Sequence, residues 1–225
     1  MDNIAFCAAI CCFKGLFYHS FGRKSPFVMK EEKVKLLEDR IRSDGEVLPG
    51  NVLKINSFLN HQVDPELMKK VGEEFSQLFK DSGVTKVLTC EASGIAPGIM
   101  TAYELHVPMV FARKKKPATL NDAVYWADVY SYTKKVTNQI CVEQKFLHKD
   151  DHLLIIDDFL ANGEAVKGMI NIANQAGAEV AGVGIVVAKT FQGGSEWIKD
   201  HGYRLEALAE IASLANNQVH FVGEK

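Results

Sequence analysis

From residue 30 onward the apolar positions of the chain switch regularly between helical and extended periods. Val34, Leu36, Leu37 and Ile41 form a helical stripe that stops near Ser43-Asp44-Gly45. Residues 52–55 read as a short extended segment leading into Ser57-Phe58-Leu59-Asn60-His61-Gln62. Asp64 and Pro65 then predict a helix start, with Asp64 as N-cap and Pro65 in the first position. Leu67, Met68, Val71, Phe75, Leu78 and Phe79 make its core face, and Gly83 its end. A strand over 86–90, a loop over 91–94, a helix over 95–103 and a strand over 107–112 follow.

Leu153, Leu154, Ile155 and Ile156 are too few for a helix, and their branched side chains suit a strand buried on both faces. From Ala165 a second strong helix is predicted, with Val166, Met169, Ile170 and Ala173 inward and Gly177 as its stop. A strand over 180–188 precedes Lys189. Strands alternating with helices imply an α/β fold: a right-handed, mostly parallel central sheet flanked by helices, with ligands at the carboxyl ends of its strands.

Composition narrows the class. A chain of 225 residues with 47% hydrophobic content fills one full core, and a second domain could only be small. A formal net charge of −2 supplies no broad basic field for nucleic acid. Lys114, Lys115 and Lys116 form one local basic cluster, which reads as a solvated loop. No apolar run reaches the roughly 20 residues that a membrane helix needs. The five cysteines suggest neither a disulfide framework nor a zinc site, and a reducing cytoplasm is the simplest setting. Residues 1–28 lack sustained periodicity and are expected to be an N-terminal extension outside the fold, with the domain spanning 29–225.

The candidate chemistry gathers after the apolar run at 153–156. Two adjacent carboxylates, Asp157 and Asp158, are followed by Phe159-Leu160 and the small, polar loop Ala161-Asn162-Gly163-Glu164-Ala165. Backbone N–H groups of that loop face outward at a helix N-terminus, where a phosphate is favoured. Gly163 permits a conformation and an approach that a side chain would block. Asp157 and Asp158 come too early to cap that helix; they suit sugar hydroxyls or a magnesium-bound ligand. Glu91-Ala92-Ser93-Gly94 and Lys189 follow two other strands, so the sheet brings all three groups to one edge.

Residues 153–165 resemble the phosphoribosyl pyrophosphate signature of the type I phosphoribosyltransferases, with Asn162 and Glu164-Ala165 where threonine and glycine-threonine are more usual. Residues 52–62, Glu91-Ala92-Ser93-Gly94-Ile95-Ala96-Pro97, residues 155–165 and Ala188-Lys189-Thr190-Phe191-Gln192 together resemble the bacterial xanthine phosphoribosyltransferases over 29–225. The resemblance implies the type I phosphoribosyltransferase fold, with a small purine-binding hood and a flexible flap, a β-ribbon formed from 113–135. It implies that Leu53, Asn60 and Lys189 contact the purine and that Ala161, Asn162, Gly163, Glu164 and Ala165 bind the phosphoribosyl donor, with Asp157 and Asp158 on its ribose. Ala92, Ser93 and Gly94 would hold pyrophosphate through backbone N–H groups. Mg²⁺ would be carried on the substrate rather than held by dedicated protein ligands. The enzyme implied is a cytoplasmic homodimer of purine salvage that makes xanthosine monophosphate and pyrophosphate, with no nucleic-acid or membrane partner.

The side-chain chemistry agrees with an oxopurine. The Lys189 ammonium donates hydrogen bonds and accepts none, which favours a ring oxygen over the amino group of adenine. Lysine alone does not separate xanthine from guanine or hypoxanthine; Asn60 could do so by donating to a 2-oxo group. Transfer to guanine, hypoxanthine or adenine is the nearest alternative. A non-catalytic sensor of phosphoribosyl pyrophosphate is the alternative from a different class. No residue stands out as a general base.

Overall fold

The computed structural model describes residues 26–114, 123–131 and 135–224. A six-stranded sheet forms the frame, in the order β10-β9-β8-β7-β3-β4. Its members are β3 (Lys86–Cys90), β4 (Met109–Ala112), β7 (His152–Leu160), β8 (Glu179–Lys189), β9 (Leu205–Ala215) and β10 (Gln218–Phe221). All neighbouring pairs are parallel except β9 with β10, which closes one edge as an antiparallel hairpin.

The central strand β7 explains its own composition. Leu154 and Ile156 enter the core under helices α1 (Pro26–Asp44), α2 (Pro65–Phe79) and α3 (Ile95–Leu105). Leu153 and Ile155 enter a second core on the opposite face, filled by helix α4 (Glu164–Ala176), by Ile198 of helix α5 (Gly194–Asp200), and by an antiparallel ribbon of β5 (Val124–Ser131) and β6 (Val136–Glu143). A strand with helices on both faces has no polar side, so its apolar run is unbroken. Gln175 of α4 clamps the ribbon: its amide donates to the Trp126 carbonyl at 2.7 Å, and its Oε1 accepts from the Trp126 N–H at 3.3 Å.

At the carboxyl edge a small hood covers the sheet. It consists of the hairpin β1 (Glu46–Leu48) and β2 (Val52–Lys54), followed by one wide helical turn over Asn56–Asn60. Phe58 and Leu59 of that turn are buried in the first core, which fixes the turn on the body of the protein.

The structure moves several sequence-based boundaries. Strand β7 runs through Asp157 and Asp158 to Leu160, so the acidic pair lies inside the strand rather than after it. Leu36 is exposed, whereas Leu37 and Ile41 are buried; the stripe of α1 is narrower than its spacing suggested. The end of α3 is set by His106 in the left-handed conformation, and α4 begins one residue early, at Glu164. Asp64 caps α2 as expected, accepting from the N–H groups of Glu66 and Leu67. The ribbon spans Val124 to Glu143, shifted C-terminally from the expected 113–135, and residues 115–122 and 132–134 lie outside the described residues. Of the expected extension, residues 26–28 are helical and 1–25 are outside the described residues.

Away from the hood, Lys86 and Asp151 join the amino-terminal ends of β3 and β7 at 2.7 Å, both with little side-chain exposure. Lys86 also donates to the Phe146 carbonyl at 2.8 Å. Burial alone would raise the Asp151 carboxyl; hydrogen bonds from Lys86 and the His148 N–H outweigh it and hold the group below its ordinary value of 3.8. A depressed carboxyl stabilises the fold above its unfolded value, and that contribution is lost as pH falls through its folded value. Asp151→Ala should therefore cost about 2 kcal/mol in urea titrations at pH 7. The difference from wild type should shrink as the pH is lowered below 4.

Candidate active site

The parallel strands deliver their carboxyl ends to a cavity of ≈ 410 Å³ beneath the hood. Asp157, the loop Ala161, Asn162, Gly163, Glu164 and Ala165, and Lys189 all line it. These residues come from the ends of β7 and β8 and the start of α4, and the sheet brings them together as the sequence pattern implied.

The phosphate-type loop is built from backbone. Gly163 sits at φ 82° immediately before α4, a conformation that side chains disfavour. Its partner is Gly194, whose N–H donates to the Ala161 carbonyl at 3.0 Å. A Cβ on Gly194 would lie 2.5 Å from that carbonyl oxygen and 2.8 Å from the Gly163 nitrogen. The first turn of α5 is thus pressed flat against the loop. At the mouth of α4, Glu164 places a negative charge where an anion should bind, and Lys167 neutralises it with a 2.8 Å ion pair.

The acidic pair divides its environments. Asp157 is buried, at 5% exposure, and accepts from the Asp158 N–H at 3.1 Å. Burial, reinforced by the Asp158 charge, pushes the Asp157 carboxyl well above its ordinary value. Asp158 is only half-buried and accepts a 2.6 Å hydrogen bond from the Asn60 amide of the hood. Among the described residues no group of three or more His, Cys, Asp or Glu is placed to hold a metal ion.

Ala92, Ser93 and Gly94 follow β3, and Gly94 closes on the acidic pair. A Cβ there would stand 2.3 Å from Thr89 Oγ1 and 3.0 Å from Asp157 Oδ1, so only glycine lets the loop reach the strand end. The preceding Glu91 carboxylate accepts from the Lys114 N–H at 2.7 Å, which ties this loop to the segment after β4. Cys90, beneath the same loop, is no nucleophile: burial and the Asp157 charge push its thiol up to about 12.

Lys189 and Leu53 differ in placement. The Lys189 ammonium reaches the Asn51 carbonyl at the hairpin tip, at 2.9 Å, and stands 5.6 Å over the Phe159 ring. Its partial burial lowers its affinity for a proton. Leu53 packs into the core beneath the hairpin rather than on the cavity wall. Gly50, Asn51, Tyr130, Phe159 and Gln192 also line the cavity, and the sequence assigns none of them an individual role. The double glycine at 193–194 was the one available signal for the loop's buttress; Tyr130 falls within the segment expected to form the flap and reaches the cavity on the ribbon.

Among the described residues no helix is long and apolar enough to cross a membrane. No family profile matches the chain. Individual relatives do. The chain is 80% identical over 192 residues to a xanthine phosphoribosyltransferase of Lactobacillus gasseri, covering 85% of this chain and 100% of the relative. Identity to that of Lactobacillus acidophilus is 72% over 192 residues, again 85% and 100% of the two chains. For that of Limosilactobacillus reuteri it is 56% over 189 residues, or 84% and 99%. Among solved structures, adenine phosphoribosyltransferase from Rhodothermus marinus superposes with a TM-score of 0.66 at 23% identity, over 80% of this chain and 99% of that one. The enzyme from Trypanosoma brucei gives 0.64 at 19%, over 77% and 79%. At these identities the two structures show a shared fold.

The charges of the site set two expected outcomes. A raised carboxyl contributes its stability below the unfolded value of 3.8 and loses it as pH rises through the folded value. Asp157→Asn should thus melt above the wild type at pH 8, and the gain should vanish toward pH 4 in thermal scans. Lys167→Ala should weaken a phosphorylated ligand roughly fivefold by leaving Glu164 uncompensated. Adding Glu164→Gln should restore most of that affinity in calorimetric titrations.

Proposed function

Because the chain belongs to the xanthine phosphoribosyltransferase family, we propose that the cavity joins the phosphoribosyl group of phosphoribosyl pyrophosphate to xanthine. The fold is that of the type I phosphoribosyltransferases. The activity is pentosyl transfer in purine salvage, with xanthosine monophosphate and pyrophosphate as products. The observation that carries this reading is the convergence of a helix start suited to an anion, the Asp157 carboxyl and a lysine on one cavity, with Asp158 next to Asp157 in the strand.

Each group has a task. The 5′-phosphate belongs at the Ala161–Ala165 loop, where free N–H groups and the start of α4 favour an anion. The ribose diol faces Asp157 and Asp158, and pyrophosphate faces Ala92, Ser93 and Gly94. Mg²⁺ would arrive on the pyrophosphate, where it neutralises the leaving charge; few protein carboxylates are needed for an ion so carried. The purine lies between Lys189 and the hood, with the ammonium donating to the 6-oxo group in exchange for the Asn51 carbonyl. A purine nitrogen attacks the anomeric carbon as its bond to the pyrophosphate oxygen breaks. Positioning of the two partners supplies most of the acceleration. The ribbon that brings Tyr130 to the cavity wall suits a cover that excludes water from the sugar cation.

A homodimer and a cytoplasmic setting complete the proposal. Ile99 and Tyr103 of α3 and Phe111 of β4 are large exposed apolar side chains on neighbouring elements, which supports a second copy docking at this edge. Cys90 and Cys141 are buried thiols outside any disulfide, as suits a reducing compartment.

The test is nucleotide formation from Mg²⁺, phosphoribosyl pyrophosphate and each of xanthine, guanine, hypoxanthine and adenine. Xanthine should be strongly preferred. Donor binding without turnover of any base would replace the enzyme with a sensor. Lys189→Ala should lower kcat/KM for xanthine roughly 10- to 100-fold, the range for losing a hydrogen bond from a charged donor.

A further inference from the structure

Asn60 is expected to read the purine, yet its amide nitrogen is already engaged by Asp158 at 2.6 Å, across 98 residues of sequence. The contact is prearranged from both ends. Asn60 closes a turn whose Phe58 and Leu59 are buried, and that turn is pinned by Gln62 N–H to the Asn56 carbonyl and Asp64 N–H to the Phe58 carbonyl. Asp158 lies toward the carboxyl end of β7, between residues 157 and 159 that pair with β8, and its own N–H is held by the Asp157 carboxylate.

We propose that Asn60 is a positioning residue for the sugar site: it fixes the Asp158 carboxylate for the ribose diol, and so couples the hood to donor binding. This rests on the phosphoribosyl-transfer reading above. A carboxylate that grips two vicinal hydroxyls must present its oxygens in a set plane. One Asn60 N–H on Oδ2 restrains that plane, and the carboxylate keeps further lone pairs for the ligand. The same hydrogen bond disperses charge where two carboxylates stand on consecutive residues, one of them buried. An amide nitrogen carries two N–H groups, so the second remains for the base. One side chain then touches both substrates. By linkage, each substrate strengthens the other's site to the same degree.

This role separates cleanly from base recognition, because it requires an effect when no base is present. Phosphoribosyl pyrophosphate with Mg²⁺ is titrated calorimetrically into wild type, Asn60→Ala and Asn60→Asp without purine, alongside Mg²⁺-pyrophosphate, which lacks the ribose. Asn60→Ala should weaken the donor roughly tenfold, the scale of a lost hydrogen bond to a charged group. Asn60→Asp should weaken it further, through a third carboxylate at the same spot. Pyrophosphate should bind all three proteins equally, which also reports that the variants are folded. Unchanged donor affinity in Asn60→Ala, with only the xanthine KM raised, overturns the proposal in favour of a pure base contact. Equal losses for donor and pyrophosphate overturn it as general distortion. If the wild type binds donor but turns over no purine, the catalytic reading fails while the coupling of Asn60 to Asp158 is still decided by the same titrations.

Discussion

Everything in this molecule is arranged around a carboxylate that has almost no contact with water. Asp157 lies within a strand, directly after four residues that are fully buried on alternate faces. An isolated charge there is costly, and the neighbourhood is built to make it tolerable and useful. The Asp158 N–H leans on it, Gly94 gives it room, and the cavity opens beside it. Sheet, hood and glycine loops are three solutions to one problem: how to hold a charged pair at the border of a core without dissolving the core.

The sequence carried the frame because burial leaves a periodic trace. The helix from Pro65, with its Asp64 cap, and the two-faced strand at 153–156 were both readable for that reason. The meeting of Asp157 with the loop from Ala161 to Ala165 on one cavity was readable too, since both follow the same strand and a glycine opens the next helix. What escaped was non-local. Leu53 lies near the base site in sequence terms, but the pairing of β1 with β2 turns it into the core. Asn51 matters through a carbonyl oxygen, which every residue type possesses. Strands β9 and β10 and helix α5 had no motif to mark them, although α5 is what steadies the phosphate-type loop.

The two ends of the sheet divide the labour. At the amino ends of β3 and β7, Lys86 and Asp151 satisfy one another and a backbone carbonyl, and no charge is left over. At the carboxyl ends the polar groups are only provisionally satisfied. Lys189 rests on the Asn51 carbonyl, and Glu164 on Lys167. Each of these contacts holds a side chain in the region where a substrate group would compete for it. On the proposed function, these are the contacts that a bound substrate would have to displace.

The contact between Gly163 and Gly194 shows which parts of the loop tolerate substitution. Because the loop before α4 takes its path from main-chain atoms, the side chains at Asn162, Glu164 and Ala165 do not set its shape. At Gly194 any side chain would strike backbone on the opposite segment, and Gly163 sits at a φ that side chains disfavour. The shape of this loop is thus held by an absence, at two positions that bear no side chain at all.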